Sequence, residues 1–86
     1  MMHALEKLPN IGKAVAAQLE AVGIETPEEL AAVGSRRAWL AIKAIDPSAC
    51  YNRLCALEGA IQGTRWHNLS DEVKAELKAF YTENKE

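Results

Sequence analysis

Apolar positions in this chain recur at helical spacings of three and four residues, and no stretch alternates apolar with polar over the length of a strand. The pattern predicts helices from end to end. An opening helix over about residues 2–7 is broken by Leu8-Pro9-Asn10-Ile11-Gly12. A second runs from Lys13 on Ala14, Val15, Ala16, Ala17, Leu19 and Val22, with Gly23 placed to cap its C-terminus. Thr26-Pro27-Glu28-Glu29 then supplies an N-cap threonine, a proline at the first helical position and a glutamate three residues after the cap, which together make a capping box. That third, short helix ends at Gly34. Ser35 is expected to cap a fourth, carrying Ala38, Trp39, Ile42 and Ile45, and Asp46-Pro47 reads as its stop and as the cap and first-turn proline of a fifth.

The fifth helix places Cys50, Leu54, Leu57 and Ile61 on one stripe and Ala49, Ala56 and Ala60 on a narrow stripe beside it. Small residues let a neighbouring helix come close, so this is the expected central packing helix. Gly63 ends it, and Thr64-Arg65-Trp66-His67-Asn68-Leu69 is a loop. Ser70 caps the last helix, Asp71 and Glu72 suit the positive end of its dipole, and Val73, Leu77, Phe80 and Tyr81 form its apolar stripe. The fold class is all-α: a compact bundle of five to six short helices forming a single domain over residues 1–86.

Composition agrees with a folded domain, at 49% hydrophobic and 26% charged. Charge narrows the function. Twelve acidic residues against ten basic ones give −2, whereas tight DNA-binding domains carry a basic excess because phosphate neutralisation supplies most of their affinity. Contact with nucleic acid must then be local, weak or assisted by a partner. No apolar run approaches the roughly 20 residues that span a bilayer, and the N-terminus lacks the basic-then-apolar order of a signal peptide. The expectation is a cytoplasmic protein with no membrane contact. Cys50 and Cys55 lie about 140° apart around a helix, too divergent to pair, and read as small core or partly buried residues.

The segment Leu8-Pro9-Asn10-Ile11-Gly12-Lys13-Ala14 has the order of the turn in a helix–hairpin–helix motif. Such a turn needs a positive φ, which glycine and, less readily, asparagine adopt. Ile11 would plug the space between the two helices. The amides of Gly12, Lys13 and Ala14 open the second helix and can meet a phosphate oxygen with the dipole behind them, and Lys13 adds a mobile charge. Asn10 stands where the motif usually has its first glycine, and its side chain is placed to crowd an approaching phosphate. Leu30-Ala31-Ala32-Val33-Gly34-Ser35-Arg36-Arg37-Ala38 repeats the skeleton 22 residues on, without the proline. Nucleic-acid contact is expected at Asn10, Gly12, Lys13 and Ala14 and at Gly34, Arg36 and Arg37. A purely packing role for both hairpins stays open, with Arg36 and Arg37 as a solvated first turn. For Lys43 and Arg53 a structural use is favoured.

Leu8-Pro9-Asn10-Ile11-Gly12-Lys13, Gly23-Ile24-Glu25-Thr26-Pro27-Glu28-Glu29-Leu30, Ala56-Leu57-Glu58-Gly59-Ala60-Ile61-Gln62-Gly63 and Arg65-Trp66-His67 resemble the C-terminal domain of TfoX (Sxy) proteins over about residues 5–81. The last two segments are much more specific than a lone hairpin. The resemblance implies a SAM- or helix–hairpin–helix-like bundle and a role in regulation. TfoX proteins are regulators of natural competence in which an N-terminal domain precedes this one and both promote transcription of DNA-uptake genes. The N-terminal part has no counterpart in these residues, so the chain reads as a stand-alone version.

Glu58 borders the apolar stripe and needs a partner, for which Arg65, the Trp66 indole N–H or amides of the following loop are available. Glu58 and Gln62 could alternatively line a recognition groove. Trp66 is expected to lock its loop onto the core, with base stacking as the alternative, and the same pair of readings holds for Trp39. His67 reads as a loop residue near the surface and His3 as disordered. Catalysis finds little support. His67 with Cys55 is the one combination worth naming, nothing in the sequence brings them together, and Ser35, Ser48 and Ser70 are explained by capping. The chain is expected to be no enzyme, with no cofactor, metal or small-molecule substrate. DNA, through its phosphate backbone, is the expected partner. The competing reading is a protein adaptor or self-associating module using the Ala49, Ala56 and Trp39 surfaces.

Overall fold

The structure is a computed structural model that describes residues 4–85. His3 and the expected helix start at residue 2 lie outside the described residues. Among those described, every regular element is helical. A 3-10 turn over Ala4–Lys7 is followed by α1 (Lys13–Ala21), α2 (Pro27–Val33), α3 (Ser35–Ile45) and α4 (Tyr51–Gln62), then a 3-10 turn over Trp66–Asn68 and α5 (Asp71–Asn84).

Most helix ends follow the local chemistry. Gly23 takes φ 87° after α1, its N–H donates to Glu20 O at 3.0 Å and the Ile24 N–H to Leu19 O at 2.8 Å, the paired bonds of a Schellman cap. At α2 the Thr26 hydroxyl accepts from the Glu29 N–H at 3.1 Å. Glu29 reaches back one residue further than a capping box requires, accepting from the Glu25 N–H at 2.9 Å. Gly63 closes α4 in the left-handed region, and the Ser70 hydroxyl accepts from the Val73 N–H at 3.2 Å to open α5.

Two expected caps are not formed. Gly34, at φ 87°, is the residue preceding α3, and Ser35 is its first residue, with no capping bond from its hydroxyl. Ser35 is 3% exposed, and its hydroxyl donates to Glu58 Oε1 instead. Asp46-Pro47 stops α3 but does not start the next helix. The Asp46 carboxylate accepts from the Ser48 amide at 3.0 Å and from the Ser48 hydroxyl, which fixes a local turn and delays α4 until Tyr51. Cys50 therefore stands outside the helix and is exposed, while Cys55 is fully buried.

Helix α4 is the centre, packing on α2, α3, α5 and the Trp66–Asn68 turn. Leu5, Leu19, Leu30, Ile42, Leu54, Leu57 and Leu77 are fully buried around it, each worth about 1.5–3 kcal/mol of apolar burial. Trp39 is also fully buried. Its indole N–H donates to Cys50 O at 3.1 Å, and its ring meets Phe80 and Tyr81 edge-on at 6.1 and 5.7 Å. Ala49 is 5% exposed. Neither Trp39 nor Ala49 can serve the adaptor surface expected of them; among the described residues the exposed large apolar side chains are Val33, Leu40 and Ile45.

Candidate functional site

The first hairpin corner is built by Leu8 and Ile11. Leu8 N–H donates to Leu5 O at 3.1 Å, Ile11 N–H to Leu8 O at 3.3 Å, and Ile11 is buried in the core. The positive φ falls on Asn10, at 70°, and not on Gly12, whose backbone is extended. The Asn10 side chain does not crowd the corner. It turns inward, where Nδ2 donates to Thr64 O at 3.0 Å and Ala56 O at 3.4 Å, and Oδ1 accepts from the Trp66 N–H at 3.2 Å.

Helix α1 thus opens without a cap. Gly12 contributes no side chain, the first turn holds no acidic residue, and a Cβ built on Gly12 would meet no atom within 4 Å. Gly12, Lys13 and Ala14 are exposed, and their amides have no acceptor among the described residues. Unpaired amides, a helix dipole and one lysine make this corner receptive to an anion.

The second corner differs. Gly34 donates its N–H to Leu30 O at 2.8 Å. The Glu58 carboxylate stands at the first residue of α3, 2.6 Å from the Ser35 hydroxyl, and its other oxygen accepts from the Gln62 amide. Those are the partners of Glu58, in place of Arg65, Trp66 or the loop. A carboxylate there already answers the α3 dipole and repels a second anion. Arg36 is drawn off to Glu76 at 3.6 Å and lies 6.0 Å from the centre of the Phe80 ring, while exposed Arg37 has no ion-pair partner among the described residues. No hydrogen bond or ion pair joins the two corners among the described residues.

Beside the first corner is an open cleft of about 380 Å³. Asn10 and Val15 line it from the hairpin, Cys50, Asn52, Arg53 and Ala56 from the start of α4, and Arg65 and Trp66 from the loop beyond. Arg53 is held in place by Asp46 Oδ2 at 2.8 Å and Gln18 Oε1 at 3.1 Å. Arg65 is exposed and forms no ion pair among the described residues.

A family model for the TfoX C-terminal domain matches residues 1–81. The chain belongs to that family. Two crystal structures are similar to it throughout. One, in a triclinic form, is of an uncharacterized protein from Listeria monocytogenes: 51% identity, TM-score 0.91, covering 92% of this chain and 90% of that one. The other is a tetragonal form of a protein of unknown function from the same organism: 51% identity, TM-score 0.90, covering 92% and 96%. A search of curated proteins finds no significant match.

Within this TfoX C-terminal domain, three of the four family-like segments meet at one place. The Asn10 side chain of the first is bonded to Ala56 of the third and Trp66 of the fourth, and passes against Gly59. A Cβ on Gly59 would stand 2.6 Å from Asn10 Nδ2, 2.7 Å from Thr64 O and 3.1 Å from Trp66 N, so the crossing requires glycine. Trp66 packs on the core and stacks on His67 with ring centres 4.0 Å apart. His67 and Cys55 are not brought together: Cys55 is fully buried, and burial pushes its thiol up from the ordinary range. No cluster of three or more His, Cys, Asp or Glu suited to a metal occurs among the described residues, and none of their helices is long and apolar enough to cross a membrane. Sequence reasoning missed Asn52 and Arg65 as neighbours of the hairpin, because only the fold carries the α4 start and the following loop to Asn10.

Proposed function

We propose that this TfoX C-terminal domain is a non-enzymatic regulatory binding domain that touches nucleic-acid phosphates weakly and without sequence preference. The observation that carries this reading is the uncapped start of α1, where the Gly12, Lys13 and Ala14 amides open to solvent with no carboxylate in the turn. A phosphate oxygen there gains the dipole and the Lys13 charge. With a net charge of −2 the rest of the surface adds no general attraction, so binding belongs in the non-specific range of about 10⁻⁴–10⁻⁶ M. In this reading the domain works in the cytoplasm as part of transcription regulation, the setting of the competence regulators that share it.

The test is fluorescence anisotropy of labelled duplex and single-stranded DNA at low salt, on the parent and on a Lys13→Glu, Arg37→Glu double variant. Binding is expected in the parent and lost in the variant. A folded variant that binds as well as the parent would overturn the reading. Exposed Val33, Leu40 and Ile45 favour a second reading as a protein adaptor. Partners captured equally before and after nuclease treatment would belong to it.

A further inference from the structure

The cleft beside the first corner has a chemistry of its own. Among the described residues no carboxylate lines it, although acidic residues outnumber basic ones along the chain. Arg65 brings a guanidinium without an ion-pair partner among the described residues. Arg53 is ion-paired to Asp46 through one nitrogen, at 2.8 Å, while its other donors and the exposed Asn52 side chain have no hydrogen-bond partner among the described residues. Val15, Ala56 and Trp66 supply apolar and aromatic surface in the same space. Donors for an anion beside apolar surface for a ring are the two requirements of a nucleotide. The volume, about 380 Å³, lies near the lower end of the roughly 300–1,000 Å³ typical of ligand pockets, which suits one such unit.

Position adds the second argument. Asn10 and Val15 line the cleft and flank Gly12, Lys13 and Ala14 in sequence, so the cleft and the uncapped amides belong to one hairpin, although the three amide residues do not themselves line it. A strand held by a phosphate at those amides would run along the hairpin that the cleft borders. A paired base in a duplex cannot enter, because its edge is occupied and its faces are stacked.

We propose that this cleft takes one unpaired nucleotide of a nucleic-acid strand, with its base against Trp66, Val15 and Ala56 and its phosphate on Arg65 and Arg53. The proposal rests on the hairpin reading for the path of the strand, and it makes the domain a reader of single-stranded or frayed nucleic acid. Base contact with such a surface is worth about 1–3 kcal/mol, or roughly five- to 150-fold in affinity.

The test compares a thymidine octanucleotide with a short duplex by anisotropy, for the parent, Arg65→Ala, Arg65→Lys and Lys13→Glu. Arg65 is exposed in a loop, so its variants keep the fold. The parent is expected to prefer the single strand. Arg65→Ala should weaken the single strand by about tenfold and the duplex far less, Arg65→Lys should recover part of the loss, and Lys13→Glu should weaken both ligands. In nitrogen–proton spectra the octanucleotide should shift the Asn52 side-chain amide and the Trp66 indole N–H. Equal affinity for strand and duplex, or shifts confined to Gly12–Ala14, would overturn the cleft and leave the hairpin standing. Cleft shifts with a neutral Lys13→Glu would instead overturn the hairpin and leave the cleft. Free thymidine monophosphate filling the cleft as tightly as the octanucleotide would also defeat the proposal, since the site would then serve a small molecule.

Discussion

Asn10 holds a left-handed backbone, φ 70°, while its side chain ties the hairpin to Ala56, Thr64 and Trp66. The two demands separate by mutation. Asn10→Ala keeps the left-handed strain, about 1–2 kcal/mol for a residue with a Cβ, and removes every bond the side chain makes. Asn10→Gly removes the same bonds but relieves the backbone. We expect Asn10→Ala to lose about 2–3 kcal/mol and Asn10→Gly distinctly less, by urea denaturation. Equal losses would show that the backbone argument is wrong. The turn itself was legible in the sequence, since Leu8-Pro9-Asn10-Ile11-Gly12 carries its chemistry locally. The partners of Asn10 were not, being 46 to 56 positions away. Gly59 was equally opaque: nothing adjacent to it explains a glycine inside a helix, and only the crossing with Asn10 and Thr64 does.

At the scale of elements, the junction between α3 and α4 is held by a side-chain network rather than by a cap. Asp46 accepts from Ser48, from Arg53 and from the Gln18 amide at 2.7 Å, joining the end of α3 to α1 and α4. An aspartate before a proline is an ordinary helix start and equally an ordinary turn start; the Ser48 bonds decide for the turn, and no local sign shows that two distant side chains would share the carboxylate. The same competition explains Ser35, whose hydroxyl serves Glu58 on α4 while Gly34 enters α3. At Thr26 and Ser70, where no distant group competes for the hydroxyl, the expected N-caps form. The bonds from Ser48 above all, then Arg53 and Gln18, hold the Asp46 carboxyl well below the usual carboxylate range. Its folded form thus favours the ionised state more than the unfolded chain does. The stabilisation is fully present above the ordinary aspartate value of about 3.9 and is lost as pH falls below it. Melting curves of the parent and Asp46→Asn should lie apart at neutral pH and converge in acid. A gap independent of pH would exclude the network as its source.

Across the whole molecule, the C-terminal helix is fastened by aromatic contacts from α3 and α4. Trp39 of α3 touches Phe80 and Tyr81, Tyr81 meets Tyr51 at 5.9 Å, and the Tyr51 hydroxyl donates to Lys74 O at 3.0 Å. The apolar stripe Val73, Leu77, Phe80 and Tyr81 announced that α5 would dock, but not that its partner surface would be a tryptophan and a tyrosine from two different helices. Burial first, and then a bond to Cys55, push the Tyr51 hydroxyl up to about 12 from an ordinary 10.0. The folded molecule prefers the neutral phenol, so this contribution is complete below the unfolded value and disappears as pH rises through the folded one. Tyr51→Phe removes the bond to Lys74, costing about 0.5–1.5 kcal/mol at neutral pH, and removes the phenol that titrates. The melting temperatures of parent and variant should therefore differ at neutral pH and draw together on the alkaline side, beyond about pH 10. Because α5 leans on Tyr51 and Trp39 together, near-ultraviolet dichroism from the aromatic rings should be lost with the helical signal in one transition. A helical signal that outlasts the aromatic one would mean that α5 detaches on its own and that α4 alone does not unify the fold.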